Sequence, residues 1–98
     1  MPDYIETPRI SEILLEEFMK PMNISPRQLA GDIFIPEGKM RDILHDRIKI
    51  TPNISLRLGL YFGVSERYFL NIQNDIDIRN EKLAMKDELD RIKAVQYA

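Results

Sequence analysis

The chain has no cysteine and no tryptophan, one histidine and only four glycines in 98 residues. Without cysteine there is no disulfide and no thiolate metal site, a composition suited to a reducing cytoplasm. The lone histidine, His45, has no second imidazole to share a metal and no nucleophile beside it to activate. It reads as a polar residue at a helix end, within reach of a phosphate. No apolar run nears the ~20 residues that span a bilayer. The first eight residues carry Asp3 and Glu6 instead of a basic, then apolar, leader. A membrane role, a metal, any other cofactor and a small-molecule substrate are therefore not expected, and the chain reads as cytoplasmic. An enzyme is disfavoured too, because no residues have catalytic spacing. The carboxylates Glu12, Glu16 and Glu17 crowd one helix face, which reads as a solvated surface or as a surface for a basic partner.

A strong net charge is also missing: the formal value is −2. Its distribution is uneven. Between Ser25 and Arg57 six Lys/Arg face four acids, a surplus of two, so the flanks are four units negative. The length fits one domain with a single core, and the 44% hydrophobic content is too high for a disordered chain.

What is present is a series of helix signals. Ile10, Ile13, Leu14 and Phe18 predict one apolar face on a helix over Ser11–Lys20, stopped by Pro21 and Asn23. Ser25 as N-cap, Pro26 at the first helical position and Gln28 three residues after the cap open a second helix, which ends near Phe34. A third begins at Pro36 or Glu37, with Met40, Ile43 and Leu44 at core spacing and Lys39, Arg41, Asp42 and His45 opposite. Residues 46–50 read as a loop. Thr51-Pro52 opens a fourth helix, apolar nearly all round and stopped by Gly63; Ser65 caps a fifth that carries Tyr68, Phe69, Leu70 and Ile72. After a polar break at Gln73–Asp75, residues 77–96 predict a further helix with Ile78, Met85, Leu89 and Ile92 near heptad spacing, a seam that Lys82 interrupts. No strand and no repeat is evident. The expected organisation is an N-terminal extension over 1–8, a helix-turn-helix domain over 9–75 and a C-terminal helix over 76–98.

The second and third helices, joined by a tight turn and flanked by the first and fourth, match the helix-turn-helix layout. Leu29, Ile33, Met40 and Leu44 can lock the pair, leaving the third helix to present its N-terminal polar residues to a major groove.

Particular segments go further. Ser11-Glu-Ile-Leu-Leu-Glu-Glu-Phe18 through Pro21, Ser25-Pro-Arg-Gln-Leu-Ala30, Ile50-Thr51, Leu56-Arg-Leu58, Tyr61-Phe-Gly63, Ser65, Leu70-Asn-Ile-Gln73 and Asp77-Ile-Arg79 together resemble HigA-type antitoxins. These are also described as VapI-like (virulence-associated protein I) regulators of the XRE, or Cro/phage-repressor-like, superfamily. The resemblance covers about residues 8–80. It implies an all-α, five-helix lambda-repressor-like bundle with an additional C-terminal helix. It also implies a homodimeric antitoxin that silences a RelE-like toxin, which cleaves messenger RNA on the ribosome. Such an antitoxin represses its own operon at a palindromic operator in double-stranded DNA. By position, Gly38, Lys39 and Arg41 are the implied base readers, and Arg27, Gln28 and Lys49 the phosphate contacts. Dimerisation is implied around Tyr68, Phe69 and Leu70. Met85 and Leu89, with Ile92, suit a dimer arm or a toxin clamp, against the plainer reading of a surface helix laced with i,i+4 ion pairs.

The chain departs from the family pattern in three places. Phe69 stands where the family has tryptophan, and Asp46 where Asn-Gly is common. Phe34 replaces the glycine of the turn, so that the turn must either hold a left-handed phenylalanine or shift. Glu37 and Asp42 oppose phosphates. With Phe34 they leave open an interaction module that has lost DNA binding; a stand-alone regulator of the same fold without a toxin is the other alternative.

Overall fold

Each proline-bearing helix start behaves as its sequence requires. Ser25 is extended (φ −81°, ψ 159°) and its hydroxyl oxygen accepts the Gln28 N–H at 3.1 Å, while Thr51 does the same for Ile54 at 3.3 Å. In the computed structural model, which describes residues 8–96, these two caps open α2 (Pro26–Asp32) and α4 (Pro52–Phe62). The other helices are α1 (Ile10–Ile13), α3 (Glu37–Leu44), α5 (Tyr68–Ala84) and α6 (Lys86–Asp90). No strand occurs among the described residues, so the fold is all-α as expected. Within those residues no helix is long and apolar enough to cross a membrane. The first seven residues of the predicted N-terminal extension lie outside the described range.

The first predicted helix is not uniform. After Ile13 its hydrogen bonding widens into a π-helical segment over Leu14–Met19, closed by Lys20 N–H on the Leu15 carbonyl at 2.9 Å. The wider turn lets Phe18 and Met19, successive residues, both lie against the core that Leu14 enters.

Four helix ends share one device. Asn23, Phe34, Asp46 and Gly63 are left-handed, with φ of 55°, 60°, 59° and 70°. After each, the next amide reaches back five residues: Ile24 to Met19, Ile35 to Ala30, Arg47 to Asp42 and Val64 to Gly59, at 2.8–3.0 Å. Phe34 therefore adopts the backbone of the glycine it replaces, and its ring is 85% exposed. Gly59 is needed for a different reason. A Cβ there would sit 2.8 Å from the Ser65 carbonyl oxygen, so α4 presses against the chain that leaves it.

The core gathers Leu14, Met19, Leu29, Met40, Ile43, Ile54, Leu58 and Phe69, all fully buried, with Phe18, Phe62 and Tyr68 ringed around Phe69 at centroid distances of 5.0–6.0 Å. Buried Ser55 joins α4 to α5. Its hydroxyl donates to the Glu66 carbonyl at 2.7 Å and accepts the Leu70 N–H at 3.1 Å.

The predicted polar break at Gln73–Asp75 does not occur. Helix α5 runs through it because Gln73 is buried with partners: its amide oxygen accepts Ile50 N–H and its amide nitrogen donates to Asp77. The helix breaks instead at Met85 (φ −120°, ψ 31°), and residues 92–96, expected to be helical, are not.

Two substitutions test this account. Phe34→Gly relieves the left-handed strain while losing no buried contact, and is expected to stabilise by about 1 kcal/mol, or roughly 4–8 °C in Tm. Gly59→Ala is expected to destabilise by about 1–3 kcal/mol in denaturant titration, because carbonyl and Cβ cannot share that space.

Candidate nucleic-acid interface

The end of α2 and the turn that leads into α3 are held by side chains from α4. At the end of α2 the carbonyls lack helical partners, and Arg57 supplies one: its Nη1 donates to the Ile33 carbonyl at 2.8 Å and reaches the Phe34 carbonyl at 3.4 Å. Nε of the same guanidinium donates to Asn53 at 2.8 Å, which fixes the fork along α4. Tyr61 adds a second brace, its hydroxyl donating to Asp32 at 2.6 Å. In the sequence Arg57 is one more positive charge in the basic middle of the chain. Its role depends on a carbonyl 24 residues away, and no local pattern carries that information.

Between the helices Leu29, Ile33 and Met40 interlock as expected, but Ile43 is the fully buried residue of the second turn and Leu44 only half-buried. At 100° per residue the outward ridge of α3 is then Gly38, Asp42 and His45. Lys39 and Arg41, two residues apart, flank that ridge from opposite sides. All four of Gly38, Lys39, Arg41 and His45 are exposed, as are Arg27 and Gln28 in the first turn of α2 and Lys49 in the loop before α4.

The electrostatics of this face are mixed. Arg41 Nη2 lies 2.7 Å from Glu37 Oε1, Arg47 Nη1 3.4 Å from Asp42 Oδ1, and Lys49 Nζ 2.9 Å from Asp77 Oδ2. Among the described residues neither Lys39 nor Arg27 forms a salt bridge, so these two offer their charge undivided. No group of three metal-ligating side chains occurs among the described residues.

The residues implied in dimerisation divide. Phe69 is 0% exposed and belongs to the protomer's own core, so its ring cannot meet a second copy. Tyr68, Leu70 and Met85 are half-buried, and Leu89 is exposed. Beyond them the apolar side chains of Ile78, Leu83, Ile92 and Val95 are also exposed. Phe34 and Leu60, the latter 86% exposed, form a separate apolar patch beside Arg57 and Tyr61.

One titration follows from the brace on α2. The hydrogen bond to Asp32, then burial, then the negative charge of Asp32 raise the Tyr61 pKa above its ordinary 10.0. A raised phenol pKa favours the neutral form in the folded state. Its contribution to stability is therefore complete below pH 10 and lost as pH rises through the folded value. In an ultraviolet titration Asp32→Asn is expected to bring the Tyr61 ionisation back toward pH 10.

No protein-family model matches the chain. It is 35% identical over 77 residues to virulence-associated protein I of Dichelobacter nodosus, spanning 79% of this chain and 68% of that protein. It is 28% identical over 69 residues to a helix-turn-helix-type transcriptional regulator of Haemophilus influenzae, covering 70% of this chain and 64% of the relative. Among solved structures, the Pseudomonas aeruginosa antitoxin HigA with the higBA promoter superposes with a TM-score of 0.84 at 25% identity, over 93% of this chain and 100% of that one.

Proposed function

The chain belongs to the VapI/HigA family of helix-turn-helix proteins, and from that premise we propose that it is an antitoxin that represses its own operon. It binds a palindromic operator in double-stranded DNA as a homodimer and neutralises a RelE-like, messenger-RNA-cleaving toxin. The observation that carries the DNA half is the exposed ridge of α3, joined to α2 by a turn whose carbonyls Arg57 grips, in a fold that HigA of P. aeruginosa shares. Residues 9–75 form the DNA-binding unit and 76–98 an arm, even though α5 runs across that boundary.

Within this reading Lys39, on one flank of α3, and Arg41, on the other, reach base edges beside Gly38, where the absence of a side chain lets the backbone approach the groove. Arg27, Gln28, His45 and Lys49 meet phosphates. The ion pair with Glu37 lowers the contribution of Arg41, so affinity is modest and falls steeply with salt. Dimerisation uses Tyr68 and Leu70, extended by Met85 and Leu89 on the arm, while Phe69 supports them from inside.

A stand-alone regulator without a toxin is the second reading, favoured by the likeness to the H. influenzae regulator. Co-purification with the product of the adjacent gene separates the two. A stable complex with a small basic protein supports the antitoxin, and its absence the lone regulator. In a mobility-shift assay with the chain's own promoter, retardation at low salt is expected; none would sink the repressor. Replacing both Lys39 and Arg41 by Ala is expected to abolish preference for promoter over random duplex. Arg27→Ala should weaken binding to every sequence and lower the salt slope by about one.

A further inference from the structure

The three ion pairs on the DNA-facing side are not equivalent. Glu37 and Arg41 are neighbours on α3, and Asp42 and Arg47 lie in α3 and the loop that follows it, so in both pairs acid and base approach a ligand together. Asp77 belongs to α5, 28 residues beyond Lys49, and of these three pairs it is the one that joins the loop before α4 to a different helix. Asp77 is held firmly. One carboxylate oxygen accepts from Lys49 Nζ at 2.9 Å and the other from Gln73 Nε2 at 3.2 Å, while buried Gln73 accepts the Ile50 N–H at 3.4 Å. The side chain of Asp77 is 32% exposed and that of Lys49 71%, so the acid is set in place by the fold while the base can swing outward. An anionic oxygen at hydrogen-bonding distance from an ammonium is the contact a DNA backbone would offer.

Resting on the reading that Lys49 meets a phosphate, we propose that Asp77 is an internal stand-in for that phosphate, a positioning residue that holds Lys49 until DNA displaces it. Binding at this point is an exchange of one anionic oxygen for another. Once bared, Asp77 keeps Gln73 but has lost the ammonium beside it, and it draws a cation from solution. That uptake offsets the counterion released from the phosphate, so in the parent protein Lys49 adds little to the salt slope. The device also means that α5, through one carboxylate, sets how freely the loop before α4 grips DNA.

The test is a four-protein cycle: parent, Asp77→Asn, Lys49→Met and the double variant. Binding is measured across salt concentrations to duplex spanning the chain's own promoter and, in parallel, to heparin as a plain polyanion. Asn preserves the size and the Gln73 contact while removing the charge. Asp77→Asn is expected to bind up to about fivefold tighter at low salt, with a slope steeper by about one. In the Lys49→Met background the same change is expected to do nothing. A gain that persists without Lys49 would mean that any lost negative charge suffices, and the proposal falls. Weaker binding by Asp77→Asn in both backgrounds would mean that Asp77 only holds the loop, and the proposal falls equally. The heparin arm decides this whether or not the promoter is the target. A parent that shows no preference for promoter over random duplex overturns the operator reading alone.

Discussion

Four left-handed residues turn this chain, and the rest of the structure depends on them. At Asn23, Phe34, Asp46 and Gly63 the helix ends within a single residue and the following amide closes back on it. That closure satisfies carbonyls the helices leave open and lets the chain turn sharply between short helices packed on one small core. Only one of the four is glycine. An L-residue in this region costs about 1–2 kcal/mol. Asparagine and aspartate offset part of this with their short polar side chains, and at Asp46 the carboxylate also accepts the Ser11 hydroxyl at 2.8 Å, tying α1 to the end of α3. Phe34 has no such compensation in its side chain. What holds it is the neighbouring geometry: its carbonyl and that of Ile33 are gripped by Arg57 from α4.

That grip links stability to function. A recognition helix is useful only if its exposed ridge stands at a constant angle to the body of the protein. Here Leu29, Ile33, Met40 and Ile43 pack the pair together, and Arg57 and Tyr61 anchor the end of α2 and its turn to α4. The side chains that would touch DNA are then left to electrostatics alone. They are an unusual set for a polyanion: acids sit beside Arg41, Arg47 and Lys49, and Lys39 and Arg27 keep their charge undivided. A face of this kind favours weak, salt-sensitive and readily reversed binding over tight capture.

Much of the fold was legible in the sequence because its signals are local. Ser25-Pro26 and Thr51-Pro52 announce helix starts by cap chemistry that needs only three residues, and Gly63 announces a stop by its own backbone freedom. The spacing of Met40 and Ile43, or of Leu14 and Phe18, marks a buried face without reference to what buries it. At Phe34 the sequence leaves a choice between left-handed backbone and a shifted turn, and the structure takes the first, as it does at Asp46.

The sequence by itself determined the order of the first four helices, the Ser25 and Thr51 caps and the helix-turn-helix pair, since each follows from contacts within a turn or two; Ser65, expected to cap the fifth helix, does not, because α5 starts only at Tyr68 with Arg67 before it. Only the tertiary structure decided what depends on distant partners. Gln73 and Asp75 read as a break until Ile50 and Asp77 appear beside Gln73, and α5 then continues to Ala84. Phe69 reads as both core and interface, and its complete burial among three surrounding rings assigns it to the core alone. Arg57, Arg41 and Lys49 are the same kind of charge in the sequence. In the folded chain the first is a brace, the second is shared with Glu37 and the third is held by a helix 28 residues further on, because the work a charge can do is set by its nearest opposite, and folding chooses that neighbour.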